Sequence, residues 1–576
     1  MRLLAARILS PLLLVISIVL LIVHWAGRGI VFVSRLIAIA GHVLDSAPGR
    51  ISAEIRGYRS DARSMSRDLA AFTAKQQSQS PLDPNKETVF LLITCGQAVR
   101  NFLLSDVLEL LRSRFNVVIL STYAYSEDFR TKYNVPGVHV LPWFESFRTL
   151  MERMFQYYFM SKSRSRTHHS WLANLEHRAR NDKTRRRQFL KLIFMRRISD
   201  LLGRLIGARG MQGLYGSFFL SYVPQPLVNR LVAAYRPALV ISTTAHHAEA
   251  WPLTYFARLA GVKTLANILS WDNTTTKPMM DTSCDYYTVW SHEMAEEFAY
   301  QFPHIKTKVL IAGCPMFDMY KNKRYAKSRE LFLAELGLPA DKPYVLYTTN
   351  TPAAMPDECE IVRQYWAALN SSPIAGKVNL VVRLHPKESI ARYQSLVGIP
   401  GVAVTLAAEP HWQQSDRWLP GQPEMAFLLN SMLHAAVSVN VASTMSLESF
   451  ALSLPTINVA FKSSSELKDH GSMWSFDMYH YSEHYHALVD NGAVELVHSV
   501  DELVAATIDA LAHGARRKEA MQRTLEQKAA YSDGTSAQRF LEIVTGIVDS
   551  RLQPRESPLI TVPSMPARYP AAEAAE

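Results

Sequence analysis

Apolar runs of strand length alternate with stretches of helical periodicity along most of the chain. The run ETVFLLITCG (87–96) ends at a glycine, AVRNFLLSDVLELLRSRF follows with apolar residues at helical spacing, and FNVVILSTYA (115–124) is the next apolar run. This order predicts a strand, a helix and a second strand, the starting unit of a doubly wound parallel sheet. The alternation resumes at RPALVISTTA (236–245) and continues to KTKVLIAGCP.

A charged stretch, KNKRYAKSRELFLAELGLPADK (321–342), separates this series from a second one. In the second series, PYVLYTTN, VNLVVRLHP and AAVSVNVAS predict strands, and ECEIVRQYWAALN and SVDELVAATIDALAHG predict helices. We therefore predict an α/β protein with two Rossmann-like doubly wound domains. They are residues 87–325 and 343–552, joined by a hinge at 326–342, with a Pro/Ala-rich tail at 553–576 that is predicted to be disordered.

The N-terminus contains a long apolar segment, ILSPLLLVISIVLLIVHWAG, with no formal charge. It is long enough to cross a bilayer as a helix, and a cleaved signal peptide is the competing interpretation. No clear small-x-small cleavage site follows, and a second apolar run continues instead, so we predict an uncleaved anchor at 1–45 and a stalk or linker at 46–86. The Arg residues that follow the span favour a cytoplasmic body by the positive-inside rule. The predicted location is single-pass in a bacterial inner membrane.

The positive charge is concentrated in one place. Residues 161–210 carry 14 Lys and Arg and three acidic residues, a net +11 that equals the net charge of the whole chain. Apolar residues alternate with these charges within a predicted insertion at 150–215. A basic helix with an apolar face is typical of contact with an anionic membrane surface, and a solvated basic excursion is the alternative. No nucleic-acid-binding motif is present, so nucleic acid is not a predicted partner.

Four scattered cysteines suit a reducing compartment and argue against a structural zinc site. Two segments rich in His and aromatics, HWQQSDRW and FDMYHYSEHYHALV, contain His480, His484 and His486. They include no HExxH motif and no clear set of carboxylate ligands, so we interpret these histidines as cleft-lining or packed residues. We predict no metal and no cofactor.

Ligands of parallel sheets bind beyond the carboxyl ends of the strands. In VNLVVRLHPKE, alternate residues Arg383, His385 and Lys387 follow an apolar strand and can share one face, while Pro386 ends the strand. A cationic trio in this position suits a phosphate or diphosphate. The alternative is a satisfied histidine beside ordinary surface charges.

The stretch VNVASTMSLESFALSLPTINV (439–459) places hydroxyls where a strand turns into a helix. A helix start binds anions through its unpaired N–H groups, although Ser443 or Thr444 can equally be a simple cap. Helical spacing assigns Leu447, Phe450, Ala451 and Leu454 to the sheet side, so we predict that Ser443, Thr444 and Ser446 face the cleft. Glu448 does not fit a capping box and can accept both hydroxyls of a ribose.

A two-domain α/β chain with RLHP, then STxSLE, then a Pro-led strand resembles the GT-B glycosyltransferases. It looks nearest to the bacterial envelope branch of CDP-glycerol glycerophosphotransferases and capsule or polysialic-acid-type transferases. The resemblance implies that His385, Pro386, Ser443 and Thr444 hold the phosphates of a donor nucleotide in the C-terminal domain. The full predicted donor set is Thr348, Thr349, Arg383, His385, Pro386, Lys387, Ser443, Thr444, Ser446 and Glu448.

The N-terminal domain should supply the acceptor side. SWDNTTTKP (270–278) is similar to the W-H-G-T-P-x-K segment of the glycerophosphotransferases: Trp271, Thr274 and Lys277 match, while Asp272 replaces the His. A carboxylate can take a proton from an acceptor hydroxyl, so Asp272 is the predicted base, with an Asx turn or helix cap as the alternative. His246, His247 and Glu249 are rival bases. The predicted acceptor-side set is Gly96, Arg100, His246, Trp271, Asn273 and Lys277, and Gly313 and Pro315 are predicted to shape the hinge.

These features predict a membrane-anchored glycosyltransferase that moves a sugar from a nucleotide donor to an envelope glycan or lipid-linked acceptor. Asp272 would deprotonate the acceptor, and Arg383, His385 and the Ser443 turn would stabilise the departing phosphate. Three alternatives remain. They are a CDP-glycerol-type glycerophosphotransferase, a nucleotide-sugar 2-epimerase and a catalytically inactive GT-B scaffold.

Overall fold

The fold is taken from a computed structural model, which describes residues 67–78, 81–144, 150–181, 186–220, 223–352, 354–406, 418–463, 480 and 482–550. Within these ranges, no helix is both long enough and apolar enough to cross a membrane. The predicted anchor at 1–45, most of the predicted stalk and the predicted tail at 553–576 lie outside the described residues.

The first sheet has seven parallel strands in the order β3-β2-β1-β4-β5-β6-β7. Its central strands are buried on both faces, which explains why they are continuous apolar runs and not alternating ones. The strands are β1 (Thr88–Ile93), β2 (Asn116–Ser121), β3 (Val138–Pro142), β4 (Pro237–Ser242), β5 (Lys263–Asn267), β6 (Tyr286–Val289) and β7 (Lys308–Ile311).

The second sheet has six parallel strands in the order β10-β9-β8-β11-β12-β13. The predicted fold of two doubly wound parallel-sheet domains is thus confirmed. The strands are β8 (Tyr344–Thr348), β9 (Asn379–Arg383), β10 (Val402–Thr405), β11 (Val437–Asn440), β12 (Thr456–Val459) and β13 (Glu495–Val497).

Helices cover the faces of both sheets. Those of the first series are α1 (67–78), α2 (Gly96–Ala98), α3 (Val107–Arg114), α4 (Glu127–Tyr133), α5 (Leu150–Lys162), α6 (Arg166–Asn181), α7 (Arg186–Leu220), α8 (Gln225–Tyr235), α9 (Trp251–Leu259), α10 (Asn273–Thr276), α11 (His292–Gln301) and α12 (Asp318–Asn322). A π-helical turn, Val99–Leu103, continues α2. Those of the second series are α13 (Arg329–Glu335), α14 (Glu358–Leu369), α15 (Gln422–Leu433), α16 (Thr444–Ala451), α17 (His486–Asp490), α18 (Val500–His513), α19 (Lys518–Lys528) and α20 (Ser536–Val548).

In each sheet the strand order reverses at one point. The chain runs outward from β1 and then restarts at β4 on the other side, and it does the same at β8 and β11. Loops that leave neighbouring strands at such a switch point diverge and form a crevice, which is where ligands of open α/β sheets bind. The predicted donor and acceptor loops lie at these two switch points.

The basic insertion consists of α5, α6 and α7 and is packed against the domain. Phe189 and Met195 of α7 are buried against α5 and α6, and Phe194 and Ile198 are buried as well. The apolar face that the sequence offers to a membrane is therefore largely used for helix packing. Leu205, Ile206 and Leu214 remain exposed, next to a break in α7 at Gly207, where φ is 71°.

The C-terminal helix crosses back to the first domain. In α20, Phe540 is fully buried and packs edge-on against Phe102, with 5.3 Å between ring centroids. The carboxylate of Asp318 accepts hydrogen bonds from the backbone N–H groups of Ser536 and Ala537, which anchors the start of the helix. The predicted domain 343–552 includes this helix, whereas the structure places it on the N-terminal sheet. A helical pattern does not reveal which core receives its apolar face.

We expect Phe540→Ala to lower the free energy of unfolding by about 3–5 kcal/mol, because it opens a cavity at the contact between the crossover helix and Phe102. Gln538→Ala, at an exposed position of the same helix, is the matched control and should change little. Urea unfolding followed by circular dichroism measures both. An unchanged midpoint for Phe540→Ala would show that α20 does not contribute to the folded core.

Candidate functional site

Three loops at the switch point of the second sheet are joined by hydrogen bonds. The backbone N–H of His385 donates to Thr349 Oγ1 at 2.9 Å, and the side chain of Asn350 donates to the carbonyl of Val441 at 3.3 Å. These bonds bring the ends of β8, β9 and β11 to one edge of the sheet. The predicted donor residues therefore converge in space.

His385 is held in one tautomer. The backbone N–H of Lys387 donates to His385 Nδ1 at 3.0 Å, so the proton of the neutral ring lies on Nε2. Burial, together with the positive charges of Lys387 and Arg383, lowers the pKa of His385 to about 4. At neutral pH His385 is thus an uncharged hydrogen-bond donor, which suits contact with a phosphate oxygen.

The start of α16 is capped as the simpler interpretation predicted. Ser443 Oγ accepts from the backbone N–H of Met445 at 3.1 Å. Thr444 Oγ1 accepts from the indole N–H of Trp271 at 3.2 Å, which links the helix start to the N-terminal domain. A phosphate role for these hydroxyls stays a prediction.

Ser446 does not face the cleft, contrary to the sequence-based prediction. It is fully buried, and its hydroxyl lies 2.8 Å from Tyr485 Oη and 3.2 Å from Asn440 Oδ1. Tyr485 Oη also donates to Asn458 Oδ1 at 2.7 Å. This network fastens α16 to β11 and β12. Ser446 lies four residues before the buried Phe450, a helical spacing that does place it on the packed side.

Glu448 joins the two domains. Its side chain is 1% exposed, lies 3.4 Å from Arg100 Nη1, and accepts a 2.7 Å hydrogen bond from Tyr320 Oη. Both carboxylate oxygens thus have protein partners. Glu448 could bind the hydroxyls of a ribose only if it shared its oxygens between these partners and the ribose, or gave the partners up. The ribose role stays a prediction, and the observed role is a contact between domains.

This cluster contains more positive than negative charge. Arg383 lies close enough to Glu448 to feel its charge, and burial lowers the pKa of Arg383. The Nε atoms of Arg100 and Arg383, and the hydroxyl of Thr348, are buried without a hydrogen-bond partner. Two guanidinium groups therefore share one carboxylate. A buried excess of cationic donors is costly unless an anion joins it.

Gly96 allows the domains to approach closely. A Cβ atom at this position would lie 2.1 Å from the carbonyl oxygen of Trp418, which belongs to the second domain. Tyr123 Oη donates to the same carbonyl at 3.0 Å. The observed role of Gly96 is thus packing between domains, and its predicted acceptor-side role stays untested.

Asp272 stabilises the turn in which it lies. It accepts hydrogen bonds from Ser270 Oγ at 2.5 Å, Thr276 Oγ1 at 2.8 Å and Asn273 Nδ2 at 3.3 Å. Burial acts to raise the pKa of Asp272, but its electrostatic interactions with His484 and Lys277 and these hydrogen bonds hold it below its ordinary value. A carboxylate whose acceptor sites are filled by donors of its own turn is poorly placed to take a proton from a substrate. This geometry supports the turn interpretation over the predicted catalytic one.

Trp271 lies in the segment 270–278, here called the acceptor turn, and connects it to several parts of the second series. Besides donating to Thr444, its ring contacts His484 edge-on at 5.1 Å and lies 5.9 Å from the ammonium of Lys528. Lys528 is buried and pairs with Glu293 at 2.9 Å. The helix α19 thereby holds the acceptor turn in place.

His246 and Lys277 lie near each other on the acceptor side. Burial, followed by the charges of His247 and Lys277, lowers the pKa of His246 well below its ordinary value. His246 Nδ1 is buried without a hydrogen-bond partner, whereas His247 Nδ1 lies 2.9 Å from Thr94 Oγ1 and 3.2 Å from Glu249 Oε1. Of the rival bases, His246 alone thus has a buried nitrogen with no partner.

Sequence reasoning missed several supporting residues. Tyr320 holds Glu448, Lys528 supports Trp271, and Glu358 accepts the backbone N–H of Asn350 at 2.8 Å in the loop after β8. None of them belongs to a recognisable motif, because each acts through a contact with a residue of another element. Within the described parts of the chain, no group of three or more His, Cys, Asp or Glu is arranged to hold a metal ion.

Two Rossmann-like domains that face each other with paired switch-point loops define the GT-B class. Residues 260–391 match the family described as CDP-Glycerol:Poly(glycerophosphate) glycerophosphotransferase. The match covers less than a quarter of the chain and includes the acceptor turn and the RLHP loop. It confirms the predicted resemblance to GT-B transferases near the CDP-glycerol glycerophosphotransferases, and with it the prediction of an enzyme of this class. The comparison with curated proteins found no match.

Solved structures with a similar fold include two UDP-GlcNAc 2-epimerases. The one from Neisseria meningitidis, bound to UDP-GlcNAc, is 10% identical, with 80% of this chain and 99% of that chain covered and a TM-score of 0.46. The one from Methanocaldococcus jannaschii is 11% identical, with 80% and 99% covered and a TM-score of 0.45. An α,α-trehalose-phosphate synthase from Burkholderia vietnamiensis is 11% identical, with 81% and 98% covered and a TM-score of 0.40. At these TM-scores the likenesses carry no argument about this chain.

Glu358, which holds the loop at Asn350, should make the free energy of unfolding depend on pH. Burial raises the pKa of Glu358 to about 8 from 4.5, and the nearby charge of Glu388 acts in the same direction. Folding therefore takes up a proton between these values, so the free energy of unfolding should fall as pH rises from about 5 to 8, by at most ~1.4 kcal/mol per pH unit. In Glu358→Gln, which mimics the neutral acid, this decline should be shallower.

Urea unfolding at several pH values between 5 and 8 tests this prediction. Glu542→Gln, at an exposed position, is the control and should follow the unaltered chain. Parallel pH profiles for Glu358→Gln and the unaltered chain would contradict the buried neutral state of Glu358.

Proposed function

We propose that this chain transfers a group from a nucleotide-activated donor to a hydroxyl of a cell-envelope acceptor, with the nucleotide bound at the switch point of the second sheet. The observation that carries the proposal is the buried cluster of Arg100, Arg383 and Glu448, which has one cation in excess and unpartnered guanidinium N–H groups. A donor diphosphate supplies the anion that this cluster lacks.

Each donor-side residue has a defined task in this reaction. The Nε2–H group of His385 donates to a phosphate oxygen without adding charge, and Arg383 and Arg100 supply the charge. The N-terminus of α16, capped by Ser443, directs its dipole toward the same edge of the sheet. Together these groups stabilise the negative charge that develops on the departing nucleotide.

Two kinds of transferred group fit this site. A sugar from a nucleotide-sugar donor, passed to an envelope glycan or a lipid-linked acceptor, was predicted from the sequence. Glycerophosphate from CDP-glycerol is favoured by the family match over residues 260–391. Both reactions expel a nucleotide, so the donor-side residues serve either one, and donor identity separates them. An inactive scaffold would not bind a nucleotide. A 2-epimerase would transfer no group to an acceptor, so adding an acceptor would not make it release a nucleotide.

We also propose that the enzyme is anchored by residues 1–45 in a bacterial inner membrane, with its body on the cytoplasmic side. The apolar N-terminal segment and the Arg residues after it support this arrangement. The exposed Leu205 and Ile206, flanked by the exposed Arg197 and Arg204, suit a second contact with an anionic lipid surface.

Thermal unfolding against CMP, CDP, UDP, GDP and ADP tests the nucleotide site. A ligand that binds only the folded state raises the Tm, by an amount that corresponds to about 2.7 kcal/mol at 100 times its Kd. We expect one nucleotide to raise the Tm, and His385→Ala and Ser443→Ala each to abolish most of the rise. A cytidine nucleotide would favour glycerophosphate or sialic-acid-type chemistry, whereas UDP or GDP would favour an ordinary sugar.

Matched controls for these variants lie on the surface. His513→Ala and Ser371→Ala replace exposed residues of the same types and should keep the full rise in Tm. If no nucleotide changes the Tm of the unaltered, folded chain, the inactive scaffold becomes the better interpretation.

Flotation with lipid vesicles tests the membrane proposal. A chain without residues 1–45 should bind phosphatidylglycerol vesicles weakly and phosphatidylcholine vesicles hardly at all, and Leu205→Ser with Ile206→Ser should remove most of this remaining binding. Leu259→Ser, at another exposed leucine, is the control. Equal binding by the control and the double variant would argue against this lipid contact.

A further inference from the structure

The acceptor side still needs a base. An acceptor hydroxyl is a poor nucleophile until a positioned group removes its proton. The acceptor sites of Asp272 are filled by three hydrogen-bond donors of its own turn. A different side chain close to the same turn is therefore required.

His484 is an unassigned imidazole that contacts this turn through Trp271. It belongs to the loop before α17, in the second series, and its ring meets Trp271 edge-on at 5.1 Å. Trp271 directly precedes Asp272 and donates to Thr444 at the start of α16. The position of His484 thus connects the acceptor turn with the place where the donor phosphate is proposed to bind.

The ring nitrogens of His484 make almost no hydrogen bonds. Its Nδ1 atom is buried without a hydrogen-bond partner, and its Nε2 atom has one long contact, 3.5 Å from Ser482 Oγ. The residue as a whole is half-buried. Buried polar atoms are usually hydrogen-bonded, as His385 Nδ1 and His247 Nδ1 are here.

The charges around His484 come from three elements. Asp272 and Lys277 of the acceptor turn, Lys528 of α19 and His486 of α17 all act on it. Burial is the largest effect and lowers the pKa of His484 to about 4, while the negative charge of Asp272 opposes it. The ring is therefore neutral at physiological pH and able to accept a proton.

We propose that His484, contributed by the C-terminal domain, is the catalytic base for the acceptor hydroxyl and that the negative charge of Asp272 stabilises its protonated form. This assignment rests on the proposed function and adds a specific base to it.

The step balances for either donor. The imidazole takes the proton of the acceptor hydroxyl while its oxygen forms a bond to the transferred carbon of a sugar or the phosphorus of a glycerophosphate. The bond from that atom to the nucleotide oxygen breaks, and the nucleotide leaves with the electron pair. The imidazolium then releases its proton to water. The assignment commits the reaction to a displacement with inversion at the attacked atom.

The test uses the full chain in detergent, with CDP-glycerol, UDP-GlcNAc and GDP-mannose as donors and membranes of its own cells as the acceptor source. The rate of nucleotide release is measured for the unaltered chain and for His484→Gln, His246→Gln and His486→Gln. His486 is the matched control, since it lies two residues away and pairs with Asp490 at the surface. The rise in Tm with the corresponding nucleotide is recorded for each variant.

We expect His484→Gln to lower kcat by about 10²- to 10⁴-fold while it leaves the donor KM and the rise in Tm unchanged. His486→Gln should retain its activity. In His484→Ala, added imidazole should restore part of the rate, which a merely structural role would not allow. Asp272→Asn should lower kcat less than His484→Gln does, and should move the acid limb of the pH–rate profile to lower pH.

Three results would overturn the assignment. They are a His484→Gln rate within threefold of the unaltered chain, an equal or larger loss in His246→Gln, and no rescue of His484→Ala by imidazole. A different pattern identifies failure of the proposed function itself. In that case the unaltered chain neither releases a nucleotide nor shows a rise in Tm with any nucleotide, and the assignment fails with it.

Discussion

The buried carboxylate of Glu448 is the contact on which both the closed cleft and the candidate donor site depend. It lies in α16 and is held by Arg100 from the π-helical turn after β1 and by Tyr320 from α12. A buried charge must be paired, and loss of one partner leaves the others uncompensated at a cost of about 3–5 kcal/mol. The same helix carries Ser443 and Thr444 at its start, so the relative position of the domains and the geometry of the donor site are set together.

The acceptor turn is fixed by contacts from two directions. Ser165 Oγ, in the insertion, lies 2.6 Å from the carbonyl oxygen of Thr275 and 2.5 Å from a carboxylate oxygen of Glu483 in the second series. Lys528 of α19 lies with its ammonium group 5.9 Å from the ring of Trp271. The insertion, whose predicted contact with a membrane stays a prediction, thus links the acceptor turn to the second series. Its positive charge and its packing role are compatible, because Arg186 and Arg187 are exposed whereas Phe189, Phe194 and Met195 are buried.

The two sides of the cleft differ in their electrostatics. The donor side holds an excess of guanidinium charge beside the neutral His385, whereas the acceptor turn is flanked by His246 and His484, which burial also keeps neutral. Neutral imidazoles can donate or accept a hydrogen bond without adding to the charge that the arginines already supply. This division suits a reaction in which an anion departs on one side and a proton is removed on the other.

Much of the fold and part of the site could be predicted from the sequence. Continuous apolar runs identify strands buried on both faces, and local rules identify the cap at Ser443 and the loop at His385, because these features depend on neighbours in the chain. The N-terminal anchor was also predicted from the sequence, but it lies outside the described residues.

Only the tertiary structure decided which distant residues meet. Glu448 pairs with Arg100 and Tyr320, Phe540 returns to the first sheet, and His484 approaches Asp272. Each of these contacts joins segments that are far apart in the chain. Hydrophobic periodicity determines that a side chain is buried but not which surface buries it. Likewise, the residue type gives an ordinary pKa, whereas burial and the charges that arrive from other elements set the actual one.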